Sequence, residues 1–176
     1  MESMQDCIRA YVRAADDGVF RLTCVEWTYL LKEAIAMGDH ELTVMLLNKD
    51  RVLCDECRRD EKIRHKLGCD IFRLMCDVAK AHDDHELYRI DVRRLIEKFP
   101  NIVRDKSSLR DNVLAALQCP DVGIVVTLMS IFAVQPCVVH AVLCENIENI
   151  DPDIASKRMA AIRAWESKCC SCSSWI

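Results

Sequence analysis

Apolar positions along the chain recur at three- and four-residue intervals, the period of a helix with one buried face, and no segment shows the strict alternation of a half-buried strand. Asp6 to Ala15 places Ile8, Tyr11, Val12 and Ala15 on one face, and Asp16-Asp17-Gly18 ends the segment. Thr23 followed three residues later by Glu26 has the capping-box spacing, and Trp27, Leu30, Leu31, Ala34 and Ile35 continue at helical intervals. Gly38-Asp39 breaks that helix, and Leu42, Met45 and Leu46 form the face of a short partner. Lys49 to Lys66 is dense in charges of both signs and reads as a solvated connection, with a long helix resuming around Cys69 that points Ile71, Leu74, Met75, Val78 and Ala79 inward. His82-Asp83-Asp84-His85-Glu86 reads as a loop. Ile90, Val92, Leu95, Ile96 and Phe99 make the next helix, closed by Pro100.

Asp105-Lys106-Ser107-Ser108 reads as a second polar joint. Val122 to Cys144 carries no charge and is long enough to raise a membrane span, but Gln135-Pro136 and His140 interrupt it. Two buried helices joined at Gln135-Pro136 account for the same letters at lower cost. A last helix begins at Pro152, behind Asp151, and runs to Trp165. The expected organisation is one helical domain over 1–165 and a flexible Cys-rich tail over 166–176, in an all-α fold.

Composition agrees with this. Only four Gly and four Pro occur in 176 residues, too few turn-formers for many short strands. The net charge is −4 with signs interspersed, so there is no electrostatic footprint for nucleic acid. Twelve cysteines raise the question of a disulfide scaffold, but Met1 to Asp6 is polar and lacks the apolar core of a signal peptide. Cys7, Cys24, Cys76 and Cys144 fall in apolar helical stretches, where Cys behaves as a small hydrophobe. Reduced thiols in the cytoplasm or nucleus are expected.

Leu31, Ala34, Gly38, Glu41, Leu42, Leu46 and Leu47 fall where an ankyrin repeat has its helix-pair residues, and this stretch resembles that family. Two further units resemble it more faintly: Phe72, Leu74 and Val78 with Val92, Leu95 and Ile96, then Val113 to Ala116 with Ile124, Val125, Leu128 and Met129. None has the Thr-Pro-Leu-His opening, and they recur at more than the ~33 residues typical of the family. The resemblance implies stacked helix pairs, an ankyrin-like solenoid, that bind another protein without a cofactor. By fold-level analogy it is similar to viral decoys that modulate host signalling, in the NF-κB or innate immune and apoptotic pathways. The rival architecture is a compact helical bundle around a central apolar helix, Val122 to Val134, which resembles the apoptosis-regulator bundles and their poxviral relatives. The Asn-Trp-Gly-Arg signature of that family is absent. Both architectures imply protein binding, not catalysis, with the tips Gly38-Asp39-His40 and His82-Asp83-Asp84-His85 as partner-binding candidates.

Three groups of residues could carry chemistry. Cys54, Cys57, His65 and Cys69 read C-x2-C-x7-H-x3-C: the first pair has zinc-knuckle spacing and the second is one helical turn apart, so zinc is the cofactor to test, in an adaptor centred on those four residues. A redox role for Cys54 and Cys57 is opposed by Asp55 and Glu56 between them, which disfavour thiolates. Cys169, Cys170 and Cys172 follow Lys168 and suit S-acylation, which would make the chain a peripheral membrane protein; otherwise no membrane contact is expected. No H-E-x-x-H, G-x-S-x-G or phosphate-loop pattern occurs, and the His82–Glu86 run reads as a hydrophilic loop.

Overall fold

Thr23 starts the best-defined helix pair as its spacing predicts. Its hydroxyl accepts from the Glu26 N–H at 3.2 Å while the Glu26 carboxylate accepts from the Thr23 N–H at 2.7 Å, and these bonds hold that carboxylate below its ordinary range. The computed structural model describes residues 4–19, 21–49, 60–81 and 85–166. Its helices are α1 (Met4–Asp16), α2 (Cys24–Ala36), α3 (His40–Leu47), α4 (Glu61–Val78), α5 (His85–Lys98), α6 (Asn101–Arg104), α7 (Lys106–Gln118), α8 (Val122–Ser130), α9 (Pro136–Glu145) and α10 (Pro152–Glu166), with a 3-10 turn at Ile147–Asn149. No strand occurs among the described residues, and the fold is all-α.

The turn between α2 and α3 shows why the sequence needs glycine there. Gly38 has φ 66°, its N–H donates to the Ile35 carbonyl at 3.0 Å, and the Asp39 N–H donates to the Ala34 carbonyl at 2.9 Å. This is a Schellman ending, which satisfies the last carbonyls of α2 and reverses the chain. Asp39 then caps α3 by accepting from the Leu42 N–H at 3.1 Å.

The helices touch in a regular order. α2 packs on α3, α4 on α5, α7 on α8 and α9 on α10. Between these pairs, α2 meets α4, α4 meets α7 and α7 meets α9, while α3 meets α5, α5 meets α8 and α8 meets α10. First helices thus neighbour first helices, and second helices neighbour second helices. The buried residues of all four pairs join one core that includes Trp27, Leu31, Phe72, Leu95, Phe99, Leu117, Leu128, Leu143 and Ile162. α1 is tied to the first pair by Val12, which is buried, and by a two-pronged ion pair from Arg9 to Asp39, both contacts at 2.9 Å.

Neighbouring pairs also exchange polar contacts. Lys98, at the end of α5, donates to the carbonyls of Leu47 and Lys49, both at 2.8 Å, and Arg94 donates to the Asn48 side chain at 3.0 Å. The C-terminal end of α3, where carbonyls lack helical partners, is therefore capped from the next pair.

Several sequence expectations are corrected. α4 begins at Glu61, well before Cys69, because Asp60 caps it by accepting from the N–H groups of Lys62 and Ile63; the charged residues around Ile63 and Leu67 dilute the helical period without breaking it. Asp105 to Ser108 is not a joint: Asp105 caps α7, accepting from the Ser107 N–H at 2.8 Å, and the helix runs on from Lys106. His85 and Glu86, read as loop, open α5. Ile90, read as inward, is 43% exposed, and Tyr88 and Asp91 take the buried positions instead. Cys7 and Cys144 are exposed, whereas Cys76 is buried. Val122 to Cys144 divides at Ile131–Gln135 into α8 and α9, as expected, and no helix among the described residues is long and apolar enough to cross a membrane.

Gly68, inside α4, lies against Phe99, the residue after α5. A Cβ at this position would lie 2.8 Å from the Phe99 Cβ and 3.0 Å from its Cγ. Helix propensity alone favours Gly68→Ala by up to about 1 kcal/mol. Overpacking against an atom attached to the backbone costs about 1–3 kcal/mol and decides the sign. Urea unfolding should show a net loss on the order of 1–2 kcal/mol; a gain would mean that α4 and Phe99 part freely.

Candidate functional site

Several polar side chains converge where α4 meets α7. His65 and Cys69 lie one turn apart on α4, and the Cys69 sulfur is 3.8 Å from His65 Nδ1 and 3.7 Å from Nε2. The sulfur is thus about equally far from both ring nitrogens. Ser108 Oγ is 2.9 Å from Nε2, and Asp105 Oδ2 is 3.5 Å from the same nitrogen. A Ser-His-Asp relay needs its Ser and Asp on opposite nitrogens, so this arrangement does not activate Ser108. The Asn112 amide donates to the Cys69 sulfur at 3.3 Å and to the Ile102 carbonyl at 2.9 Å, and Cys69 is only 4% exposed. A buried thiol approached in this way is not placed as a nucleophile.

The same distances bear on metal binding. Tetrahedral zinc with Zn–S of ~2.3 Å and Zn–N of ~2.0–2.1 Å holds its sulfur and nitrogen roughly 3.6 Å apart. His65 and Cys69 stand close to that separation. Cys54 and Cys57 lie outside the described residues, and no group of three or more His, Cys, Asp or Glu side chains among the described residues is arranged to hold a metal ion.

The first tip is occupied by internal contacts. Asp39 is 5% exposed and engaged with Arg9 and the Leu42 N–H. His40 Nδ1 is 2.7 Å from Asp91 Oδ2, and its ring meets Tyr88 edge-on at 4.5 Å. Both residues therefore link α3 to its neighbours. His82, Asp83 and Asp84 lie outside the described residues, and His85 is the first residue of α5. Cys169, Cys170 and Cys172 also lie outside them.

No protein family, no curated protein and no solved structure matches the chain. Function must be read from the molecule's own surface.

Two of the buried carboxylates, Asp39 and Asp91, respond to pH in opposite senses. Burial tends to raise Asp39, but the Arg9 hydrogen bonds, the Leu42 N–H and the Arg9 charge outweigh it and hold the carboxyl below its ordinary value. Its contribution to stability is present above the ordinary carboxylate pKa and is lost as pH falls through the lowered one. Burial dominates at Asp91 and raises its pKa despite His40, so stability falls as pH rises from the ordinary value through the raised one. Asp39→Ala should lose about 0.5–2 kcal/mol at pH 7, the cost of an N-cap. The deficit should shrink toward pH 3, measured by urea unfolding across that range; a deficit independent of pH would contradict the depressed pKa.

Surface apolar residues were not legible as such from the sequence periods used above. Val25 is 79% exposed and Tyr29 60% exposed, and with Lys32 and Ala36 they form one solvent-facing stripe of α2. The signal was present: these positions form a second period, out of phase with Trp27, Leu30, Leu31 and Ala34. The stripe puts apolar and aromatic surface in water, with the partly exposed Glu26 and Glu33 flanking it.

Proposed function

We propose that this chain is a non-enzymatic protein-binding module whose four helix pairs form a stack of the ankyrin-like kind. The order of helix contacts supports the stack: among the described residues, the extensive contacts of the paired helices run within a pair or between successive pairs, that of α10 with α7 included, with the small α6 lodged between the second and third. The observation that carries the binding role is the α2 stripe. Val25 and Tyr29 hold apolar and aromatic surface in water on a helix whose opposite face is packed, and Tyr is among the residue types enriched in interface hot spots. By fold-level analogy alone, a modulator of host signalling in the NF-κB or innate immune and apoptotic pathways is the first role to examine.

Affinity capture from host-cell extract with mass spectrometry tests the binding role. A Val25→Ser/Tyr29→Ala variant, folded by circular dichroism, should lose the proteins that the parent chain enriches. Recovery of the same set by both proteins would place docking away from α2.

The His65–Cys69 separation favours one second reading, a zinc-binding adaptor completed by Cys54 and Cys57. Protein purified without an affinity metal should then carry about one equivalent of zinc per chain, falling on His65→Ala. Less than half an equivalent removes this reading.

A further inference from the structure

A groove of about 670 Å³ opens where the end of α3 meets the last turns of α5, within the size range of ligand pockets. Its apolar surface is mainly that of Ile90, 43% exposed, with Leu47, 4% exposed, at its base. Arg93, Arg94 and Lys98 surround that surface, with Glu97 as the anion among the lining residues. This concentration of positive charge occurs in a chain whose net charge is −4.

The three cations are held differently. Lys98 is fixed by the Leu47 and Lys49 carbonyls, and Arg94 by Asn48. The Arg94 charge thus stands at the groove with its position set in advance. Arg93 contacts Glu97 at 2.9 Å, but the two side chains are 56% and 52% exposed. Such an exposed i,i+4 pair contributes little, and an incoming carboxylate can take the place of Glu97. A guanidinium offers a fork that matches a carboxylate in two-pronged fashion. Among the described residues no aromatic ring lines the groove, so they offer a base nothing to stack on, unlike a single-strand nucleic-acid site.

We propose that this groove docks an acidic linear peptide of a partner protein, with one apolar side chain on Ile90 and Leu47 and flanking carboxylates on Arg93 and Arg94. The proposal rests on the protein-binding reading and gives it a second surface, with a stated partner chemistry.

The test uses the full chain and fluorescein-labelled decapeptides, each with one leucine flanked on both sides by two glutamates in a Ser/Gly background, read by fluorescence anisotropy. A control peptide carries lysine for every glutamate. The glutamate peptide should bind, and its affinity should fall several-fold between about 50 and about 300 mM salt, as screening requires. Arg93→Ala/Arg94→Ala should weaken it by roughly tenfold and Ile90→Ser by several-fold. Glu97→Gln should tighten binding about twofold by removing the competing carboxylate. Arg110→Ala, which removes a cation from α7, should change nothing. Circular dichroism checks each variant; if the double-arginine variant fails to fold, Glu97→Gln and Ile90→Ser carry the test alone. Failure of the glutamate peptide to bind, equal binding of the lysine peptide, or tightening absent in Glu97→Gln would overturn the proposal. If the α2 variant loses captured proteins while the glutamate peptide does not bind, this inference falls and the binding module stands.

Discussion

Replacing Trp27 with alanine is expected to lower the folding stability by about 3–5 kcal/mol. The side chain is fully buried, and its indole N–H donates to the Leu46 carbonyl at 2.8 Å, so one residue of α2 ties down the end of α3. Its ring also sits 6.4 Å from that of Phe99, which follows α5, and 5.9 Å from the Lys98 ammonium. Truncation removes a large apolar volume, and the gap cannot close without moving two neighbouring helices as well. For a chain of this length the loss corresponds to a fall in melting temperature of roughly 6–20 °C. Trp27→Phe keeps most of the volume and should cost clearly less. Thermal and urea unfolding of the two variants measure both effects; equal losses would assign the stability to the indole hydrogen bond and not to packing.

Arg158 is the second residue where a large effect is expected, and there the choice of replacement decides the outcome. It is fully buried on α10, donates one nitrogen to the Cys119 carbonyl, and has no hydrogen-bond partner for Nε or Nη1 among the described residues. Burial lowers the pKa of its guanidinium, against the nearby Cys119 and Asp121, and Asp121 already contacts Arg89 at 3.1 Å. Keeping such a charge out of water costs several kcal/mol, which its contacts only partly return. Arg158→Ala removes the side chain's volume as well as its charge, and should lose about 2–5 kcal/mol. Arg158→Met keeps most of the volume and gives up one hydrogen bond to a carbonyl, worth about 1–3 kcal/mol, in exchange for relief of the buried charge. Its stability should therefore stay within about 1 kcal/mol of the parent or exceed it. A methionine variant as unstable as the alanine one would show that the guanidinium itself holds α10 in place.

These two residues also mark how far the sequence could be read. Trp27 was legible because its neighbours Leu30, Leu31, Ala34 and Ile35 keep one period, and because Thr23, Glu26 and Gly38 bound that period with local chemistry. The break at Gln135-Pro136 was legible for the same reason, since Pro at the first turn of α9 acts through the adjacent backbone. Arg158 was not legible: its burial depends on α7 and α8 lying across α10, which no local pattern encodes. The fourth pair, α9 with α10, escaped notice because the Ile147–Asn149 turn separates its helices without a Gly signal. Asp105 misled because an acid beside two serines is as typical of a loop as of a helix cap, and the distinction lies in the backbone N–H that it meets. At the candidate surfaces, the period puts Ile90 inward and does not single out Val25, because exposure is set by which neighbours arrive and not by residue type.

The cap that Lys98 places on the end of α3 carries a consequence for how the chain opens. The last carbonyls of the first pair are satisfied by a residue near the end of the second, so fraying of α5 exposes hydrogen-bond acceptors on α3 at the same moment. The first two pairs should then behave as one cooperative unit in native-state amide exchange, with slow amides of α3 and α5 reporting the same opening free energy, whereas α9 and α10 are at liberty to open on their own schedule. A fragment cut between α3 and α4 would leave that acceptor cluster to water, and the boundary that looks most natural in the sequence is the one least suited to dissection.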